Sequence, residues 1–167
     1  MLLMGYEFTD QTPFKTIYLH GLVLDENGKK MSKSSGNVID PLSIIEEYSV
    51  DALRLSLVLG NTPGNNLNYS LKTVEEYSLF LNKFWNISRF VWMNIGNITQ
   101  SRAELVKKIE KNRNDLLPYE VWILSRLSSA LDMVTKGMND YSFAISGGEL
   151  LTFIRDEFAD LAIESYK

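Results

Sequence analysis

Hydrophobic and polar positions follow two different periods along this chain. From residue 16, TIYLHGLVLD alternates β-branched and aromatic residues with others and runs into Asn27-Gly28, the strongest two-residue turn signal. The pattern predicts a β-hairpin over residues 16 to 33. Lys30 to Asn37 has no periodicity and is built of small, flexible and cationic residues, so it is predicted to be a loop. Asp40 is then placed to cap a helix that Pro41 begins, with Leu42, Ile44 and Ile45 on its apolar face to about Tyr48. A second short helix is predicted from Val50 to Leu59, ending at Gly60 in the usual position just past a helix. The turn formers of NTPGNNLNYS read as an ordered junction loop, closed by Ser70 as the next cap.

Beyond residue 70 the period becomes helical. Val74, Tyr77, Leu81, Phe84, Val91 and Ile95 fall on a seven-residue repeat broken at Ser88, which predicts one long helix with one buried stripe from Leu71 to about Ile95. Residues 96 to 117 are polar, with a short helix expected near Arg102 to Lys111. A second long helix from about Pro118 is expected to bury Val121, Leu124, Leu127, Leu131 and Val134. After Gly137 to Tyr141, a third is expected to bury Leu151, Ile154, Phe158 and Leu161. Three such helices make an incomplete antiparallel bundle, and the stop at Lys167 without a capping Gly or Pro reads as a truncation.

Composition narrows the chemistry. No Cys is present, which removes disulfides and thiolate metal sites, and the single His makes a His-based zinc site improbable, so no metal site is expected. No apolar run reaches the roughly 18 to 20 residues of a membrane span, and the N-terminal MLLMGYEF lacks the flanks of a signal peptide; a cytoplasmic protein is expected. A net charge of −4 argues against coating nucleic acid non-specifically but leaves room for a local basic patch at Lys29, Lys30 and Lys33.

That patch is the sharpest chemical signal. Flexible ammonium groups interleaved with the hydroxyls of Ser32 and Ser34 can meet phosphate oxygens. At about 4 Å and an effective dielectric near 20, each lysine–phosphate pair attracts by roughly 4 kcal/mol before desolvation. On charge pattern alone, a solvated basic loop is the more economical reading. The face formed by Asn82, Trp85, Asn86 and Arg89 is similarly open: it could meet RNA by stacking and phosphate pairing, while a hydrogen-bond network between helices is the plainer reading. His20, at a strand end, fits a structural role as well as a functional one.

Lys30-Met31-Ser32-Lys33-Ser34 matches letter for letter the second signature of the class I aminoacyl-tRNA synthetases, and its flanks, HGLVLDENGKKMSKSSGNVIDPLSIIEEYSVDALR, resemble that family's active-site strand, hairpin and following helices. TPGNNLNYS and NKFWNISRFVWMN are similar to its valine-specific members rather than to the isoleucine or leucine ones, and LPYEVWILSRL and EFADLAIESYK extend the likeness to the end. The resemblance implies a mainly α chain: residues 1–60 as a small α/β C-terminal remnant of a Rossmann-type catalytic domain, 61–70 as a junction, and 71–167 as part of an anticodon-binding helical bundle. It implies ATP with Mg2+ as substrate, valine and tRNA(Val) as partners, a monomeric parent, and Lys33 stabilising the pyrophosphate leaving group with Lys30 beside it. Met31, Ser32, Ser34, His20 and Gly21 would border ATP, and Trp85 and Arg89 would meet tRNA.

The chain departs from the family pattern at Ser49-Val50, where Gly-Ala is usual, at Leu24, where a basic residue is frequent, and at Leu161-Ala162, where Trp-Tyr is frequent. The family's HIGH-type motif is absent, since the only His, His20, is followed by Gly-Leu; on this reading the chain is a fragment, inactive alone, and Met1 is not the natural start. The alternatives are an isoleucine- or leucine-specific relative, or a free-standing tRNA-binding helical module without catalysis.

Overall fold

The computed structural model describes residues 1–96 and 99–166. Positions 97 and 98, within the expected polar connection, and Lys167, where the sequence stops, lie outside the described residues. The architecture is mainly helical: α1 (Leu2–Thr9), β1 (Val23–Leu24), α2 (Pro41–Glu47), α3 (Val50–Leu59), β2 (Leu67–Asn68), α4 (Leu71–Ile95), α5 (Arg102–Lys111), α6 (Pro118–Asn139), α7 (Phe143–Thr152), a π-helical stretch (Phe153–Ile163) and α8 (Glu164–Tyr166). No described helix is long and apolar enough to cross a membrane.

The expected hairpin is reduced to its turn. Asp25 N–H donates to the Lys29 carbonyl at 2.9 Å and Leu24 and Lys30 form a single antiparallel bridge, but the return strand goes no further. β1 pairs instead with β2 in parallel, Val23 opposite Leu67 and Leu24 opposite Asn68. The junction read as a loop therefore contains a strand, whose Leu67 and Tyr69 amides donate to the Leu22 and Leu24 carbonyls at 2.8 and 2.9 Å. Local turn chemistry predicted the reversal correctly; the non-local partner, more than 40 residues away, left no period to read. α1 was not expected either, since MLLMGYEF is apolar on all sides and none of its residues is buried.

The short helices form as their caps dictate. Asp40 accepts from the Leu42 amide at 3.0 Å with Pro41 in the first turn of α2, and Ser70 accepts from Lys72 N–H at 3.2 Å to open α4. Ser101 and Glu104 form a reciprocal capping box at the start of α5. Gly60 corrects the expectation for it: its φ of −80° is ordinary, so it is not a left-handed cap. A Cβ there would lie 2.6 Å from a Leu67 methyl, which would have to turn aside, so β2 packs closely on the helix end. Ser49, the cap of α3, has φ of 141°, a conformation that glycine takes freely and a side chain resists. Its hydroxyl accepts from Ala52 N–H at 3.2 Å and partly offsets that strain.

The core gathers under the lysine loop. Ile44 of α2, Ala52 of α3, Tyr69 after β2 and Val74 of α4 are buried, with Met31, Ile39, Leu53, Leu57, Tyr77 and Leu81 packed around them. The stripe of α4 is thus covered only in its first half, and Phe84 and Ile95 remain exposed.

The other two stripes are shifted from expectation. On α6 the expected Leu124 and Val134 are partly buried, as are Ile123, Arg126 and Gly137 around the buried Ala130, while Val121, Leu127 and Leu131 are exposed, Leu131 by 49%. In the last helix the fully buried residues are Ser146, Phe153, Ala159 and Ala162; the expected Leu151, Ile154 and Phe158 are partly buried, and of that stripe only Leu161 is exposed. Two causes act. The helices approach through small side chains: a Cβ on Gly137 would overlap the Ser146 hydroxyl, and one on Gly147 would overlap Leu59 of α3. The π-helical stretch also has more residues per turn, so a face counted at the α period drifts away from the core. Polar ties fix the result. Arg126 Nε donates to both Glu157 oxygens at 2.9 Å and its Nη2 to Glu149 at 3.2 Å, and Lys83 of α4 pairs with Asp160 at 2.8 Å.

Three substitutions test this packing by urea unfolding of the chain. Val74→Ala, at a fully buried position, is expected to cost about 2 to 3 kcal/mol, and Leu131→Ala less than about 1 kcal/mol. Equal losses would return Leu131 to the core. Ser49→Gly is expected to raise stability by about 1 kcal/mol, because relief at φ of 141° exceeds the few tenths lost when glycine replaces serine as a cap.

Candidate functional site

The lysine loop is held from three sides. Lys30 begins it at the bridge to Leu24; Met31 turns its side chain into the core beside Ile39, Ile44, Leu53 and Tyr69. Ser32 then caps a single 3-10 turn, Lys33–Ser35, which ends at Gly36 with φ of 67°, a left-handed position suited to glycine. The segment is a loop, as expected, ordered around this one turn. The Ser32 hydroxyl accepts from Ser35 N–H at 3.2 Å and lies 2.7 Å from the Ser35 hydroxyl and 3.1 Å from that of Ser34. Lys30, Lys33 and Ser34 are exposed, and among the described residues neither lysine forms an ion pair.

Two residues that sequence reasoning missed brace this turn. Asp25 Oδ1 accepts from the amides of Asn27 and Lys29 at 3.0 and 2.8 Å, and its Oδ2 accepts from Asn37 Nδ2 at 2.8 Å. Asn37 also accepts from Ser32 N–H at 3.0 Å and donates to the Lys30 carbonyl at 3.3 Å. The Asn37 carboxamide, followed by the backbone amide of Lys29, holds the Asp25 carboxyl below its usual range. A carboxylate bonding the backbone two residues on is an Asx turn, and the Asp-Glu-Asn-Gly order was the available signal for it.

His20 and Gly21 sit on the extended approach to β1, against the loop that leads to β2. His20 Nδ1 is 2.7 Å from the Gly21 carbonyl oxygen, and its ring is exposed. A Cβ on Gly21 would overlap the Asn65 carbonyl, so the two segments touch backbone to backbone there. Leu22 N–H donates to Asn66 Oδ1 at 2.9 Å and Gly64 N–H to the Leu19 carbonyl at 3.0 Å, extending the seam. The structure thus links His20, Gly21 and Lys30 along one continuous segment, with Lys33 and its serines on the turn that follows.

Trp85 and Arg89 lie apart from the loop in sequence, on α4. Trp85 is 69% exposed, and among the described residues no side chain of Asn82, Trp85, Asn86 or Arg89 forms a hydrogen bond or ion pair. The hydrogen-bond network favoured for this face does not form, because the tie from α4 to the last helix runs through Lys83, on another side. No group of three or more His, Cys, Asp or Glu able to hold a metal occurs among the described residues.

The pattern described as "tRNA synthetases class I (I, L, M and V)" matches residues 1–70. Over all 167 residues the chain is 44% identical to a valine–tRNA ligase of Bacillus cereus and 42% identical to one of Carboxydothermus hydrogenoformans. It spans 18% of the length of each. A LeuRS–tRNA–LeuAMS ternary complex from Agrobacterium radiobacter K84 shares the fold, with a TM-score of 0.65 at 19% identity over 91% of this chain and 19% of the other.

Gly21→Ala is expected to part the seam with Asn65 and Asn66 and to cost more than about 2 kcal/mol, because a backbone carbonyl, unlike a side chain, has no rotamer by which to yield; a urea midpoint like that of the wild type would refute the close approach. For the Asp25 brace the folded-state pKa is depressed, so its contribution is complete above the ordinary carboxylate value of 3.8 and is lost as pH falls through the lower folded value. Amide exchange at Lys29 is expected to stay protected at pH 5 and to accelerate beyond its intrinsic pH trend only well below pH 3.8.

Proposed function

We propose that this chain, similar over every residue to valine–tRNA ligases and matched over residues 1–70 by the class I tRNA synthetase pattern, supplies the ATP-handling loop and tRNA-facing helices of a valine–tRNA ligase working in the cytoplasm. The observation that carries the reading is the lysine loop itself: Lys30 and Lys33 project from a braced turn with no ion-pair partner among the described residues. Residues 1–60 are read as the end of a Rossmann-type catalytic domain, 61–70 as the junction and 71–167 as part of an anticodon-binding bundle.

In the proposed reaction a valine carboxylate oxygen attacks the α-phosphorus of ATP. The bond from that phosphorus to the bridging oxygen breaks, giving valyl-adenylate and pyrophosphate; a tRNA(Val) terminal hydroxyl then attacks the acyl carbon and releases AMP. Negative charge grows on the departing pyrophosphate, and Lys33, aided by Lys30, stabilises it where it develops. Ser32 and Ser34 offer hydroxyl donors to the same phosphates. Met31 contributes through its partly buried side chain, which anchors the loop, while His20 and Gly21 border the adenylate. Mg2+ enters with ATP as part of the substrate. Trp85 and Arg89 offer an exposed stacking surface and a guanidinium for the tRNA backbone.

Lys33→Ala in the enzyme carrying these residues is expected to slow valine-dependent ATP–pyrophosphate exchange by roughly 10²- to 10³-fold, the scale for removing one preorganised charge stabiliser. Exchange at the wild-type rate would remove Lys33 from the chemistry.

A further inference from the structure

The side chain of Asn37 reaches back across the whole lysine turn. Its oxygen takes the Ser32 amide at 3.0 Å, and its nitrogen gives to the Lys30 carbonyl at 3.3 Å and to Asp25 at 2.8 Å. Lys30 and Ser32 flank Met31, so the clamp grips the backbone on both sides of the residue that plugs the core. Asp25 in turn is fixed by two backbone amides of the preceding turn, at 3.0 and 2.8 Å. Neither clamp residue is part of the buried core.

We propose that Asn37 and Asp25 are positioning residues for the lysine loop: their paired side chains fix the backbone from Lys30 to Ser32 and thereby the directions in which Lys30 and Lys33 meet a polyphosphate. The inference rests on the adenylation reading of the loop and adds two residues to it. Among the described residues no carboxylate aims either ammonium group, so the backbone from which each side chain springs is what directs it. A lysine displaced by about 1 Å at a transition state can lose on the order of 10²-fold in rate, which makes a clamp on the backbone kinetically visible. The bond between the two side chains is charge-assisted and can be exchanged end for end, because a carboxylate at 37 still accepts from Ser32 and a carboxamide at 25 still accepts from Asn27 and Lys29.

The experiment compares Asn37→Ala, Asp25→Asn and the exchanged pair Asp25→Asn with Asn37→Asp in the full-length enzyme. ATP–pyrophosphate exchange gives kcat and the KM for valine, and urea unfolding is measured alongside. Each single substitution is expected to lower kcat by roughly 10- to 100-fold, with the KM for valine and the urea midpoint unchanged. The exchanged pair is expected to recover part of the rate, because the carboxylate at 37 regains the bond to position 25 but faces the Lys30 carbonyl with no hydrogen to donate. Asp25→Asn keeps side-chain size and reports on the clamp even if Asn37→Ala is poorly folded. Wild-type kcat in the single variants, or an exchanged pair no faster than Asp25→Asn, would overturn the proposal. Lys33→Ala in the same assay separates the two ideas: if it is slow while Asn37→Ala is normal, only the clamp fails, and if it too is normal, the adenylation reading fails.

Discussion

The docking of one half-buried methionine against the core sets the terms for the rest of this structure. Met31 lies in the middle of an otherwise polar, cationic loop, and its side chain packs with Ile39, Ile44, Leu53 and Tyr69 over the buried pair Ala52 and Val74. Because its neighbours Lys30 and Lys33 cannot follow it inward without losing hydration, the chain must turn sharply on either side. The 3-10 turn, the left-handed Gly36 and the side chain of Asn37 are how it does so. α2, α3, α4 and Tyr69, which follows β2, build the core against which Met31 packs, so the loop is docked on the part of the molecule that is most completely packed.

The connection from that core to the later helices is made by close approach and by charge. Leu59 at the end of α3 fits over Gly147 of α7, with no room for a side chain between them. Arg126 then joins α6 to Glu149 and Glu157, and Lys83 joins α4 to Asp160. The Arg126 group is partly shielded, and its guanidinium pKa is raised first by the Glu157 hydrogen bonds and charge. Wide apolar surfaces such as the groove of Val106, Ile109, Leu116 and Leu131 between α5 and α6 are left uncovered, so specificity of helix placement comes from small residues and ion pairs more than from apolar area.

The parts of the fold legible in the sequence were those set by local chemistry. Asp40-Pro41, Ser70 and the Ser101–Glu104 pair announced helix starts because a cap needs only a few neighbouring residues. The unread parts depend on distant segments. Val23 and Leu24 found a partner at Leu67 and Asn68, the inward face of α6 was chosen by Gly137 and Ala130 meeting the last helix, and the π-helical stretch moved Leu161 outward. Ser49 is an instructive middle case. The sequence showed a departure from glycine, and the φ of 141° supplies the physical reason glycine suits that place. For the site, Lys30 to Ser34 stood out by charge and spacing, whereas Asp25 and Asn37 did not, since an Asp in a turn and an Asn after a glycine are each ordinary alone. Only the 2.8 Å bond between them makes them a pair.

That pair also explains how the lysines can remain available. A carboxylate so near a lysine cluster would ordinarily be drawn into an ion pair, which would have to be broken before phosphate could bind. Here both Asp25 oxygens are already occupied, by two backbone amides and by Asn37, and the charge of the Lys29 side chain is the least of the influences that lower its pKa. The carboxylate therefore braces the turn and leaves the ammonium groups hydrated. In the adenylation proposed for this loop, an arriving polyphosphate would displace water instead of a protein carboxylate, and it would meet a backbone whose shape is already set. Preorganisation of this kind places the free energy of the lysine–phosphate contacts in the bound state, where it can act on a developing charge, and not in rearranging the loop that supplies them.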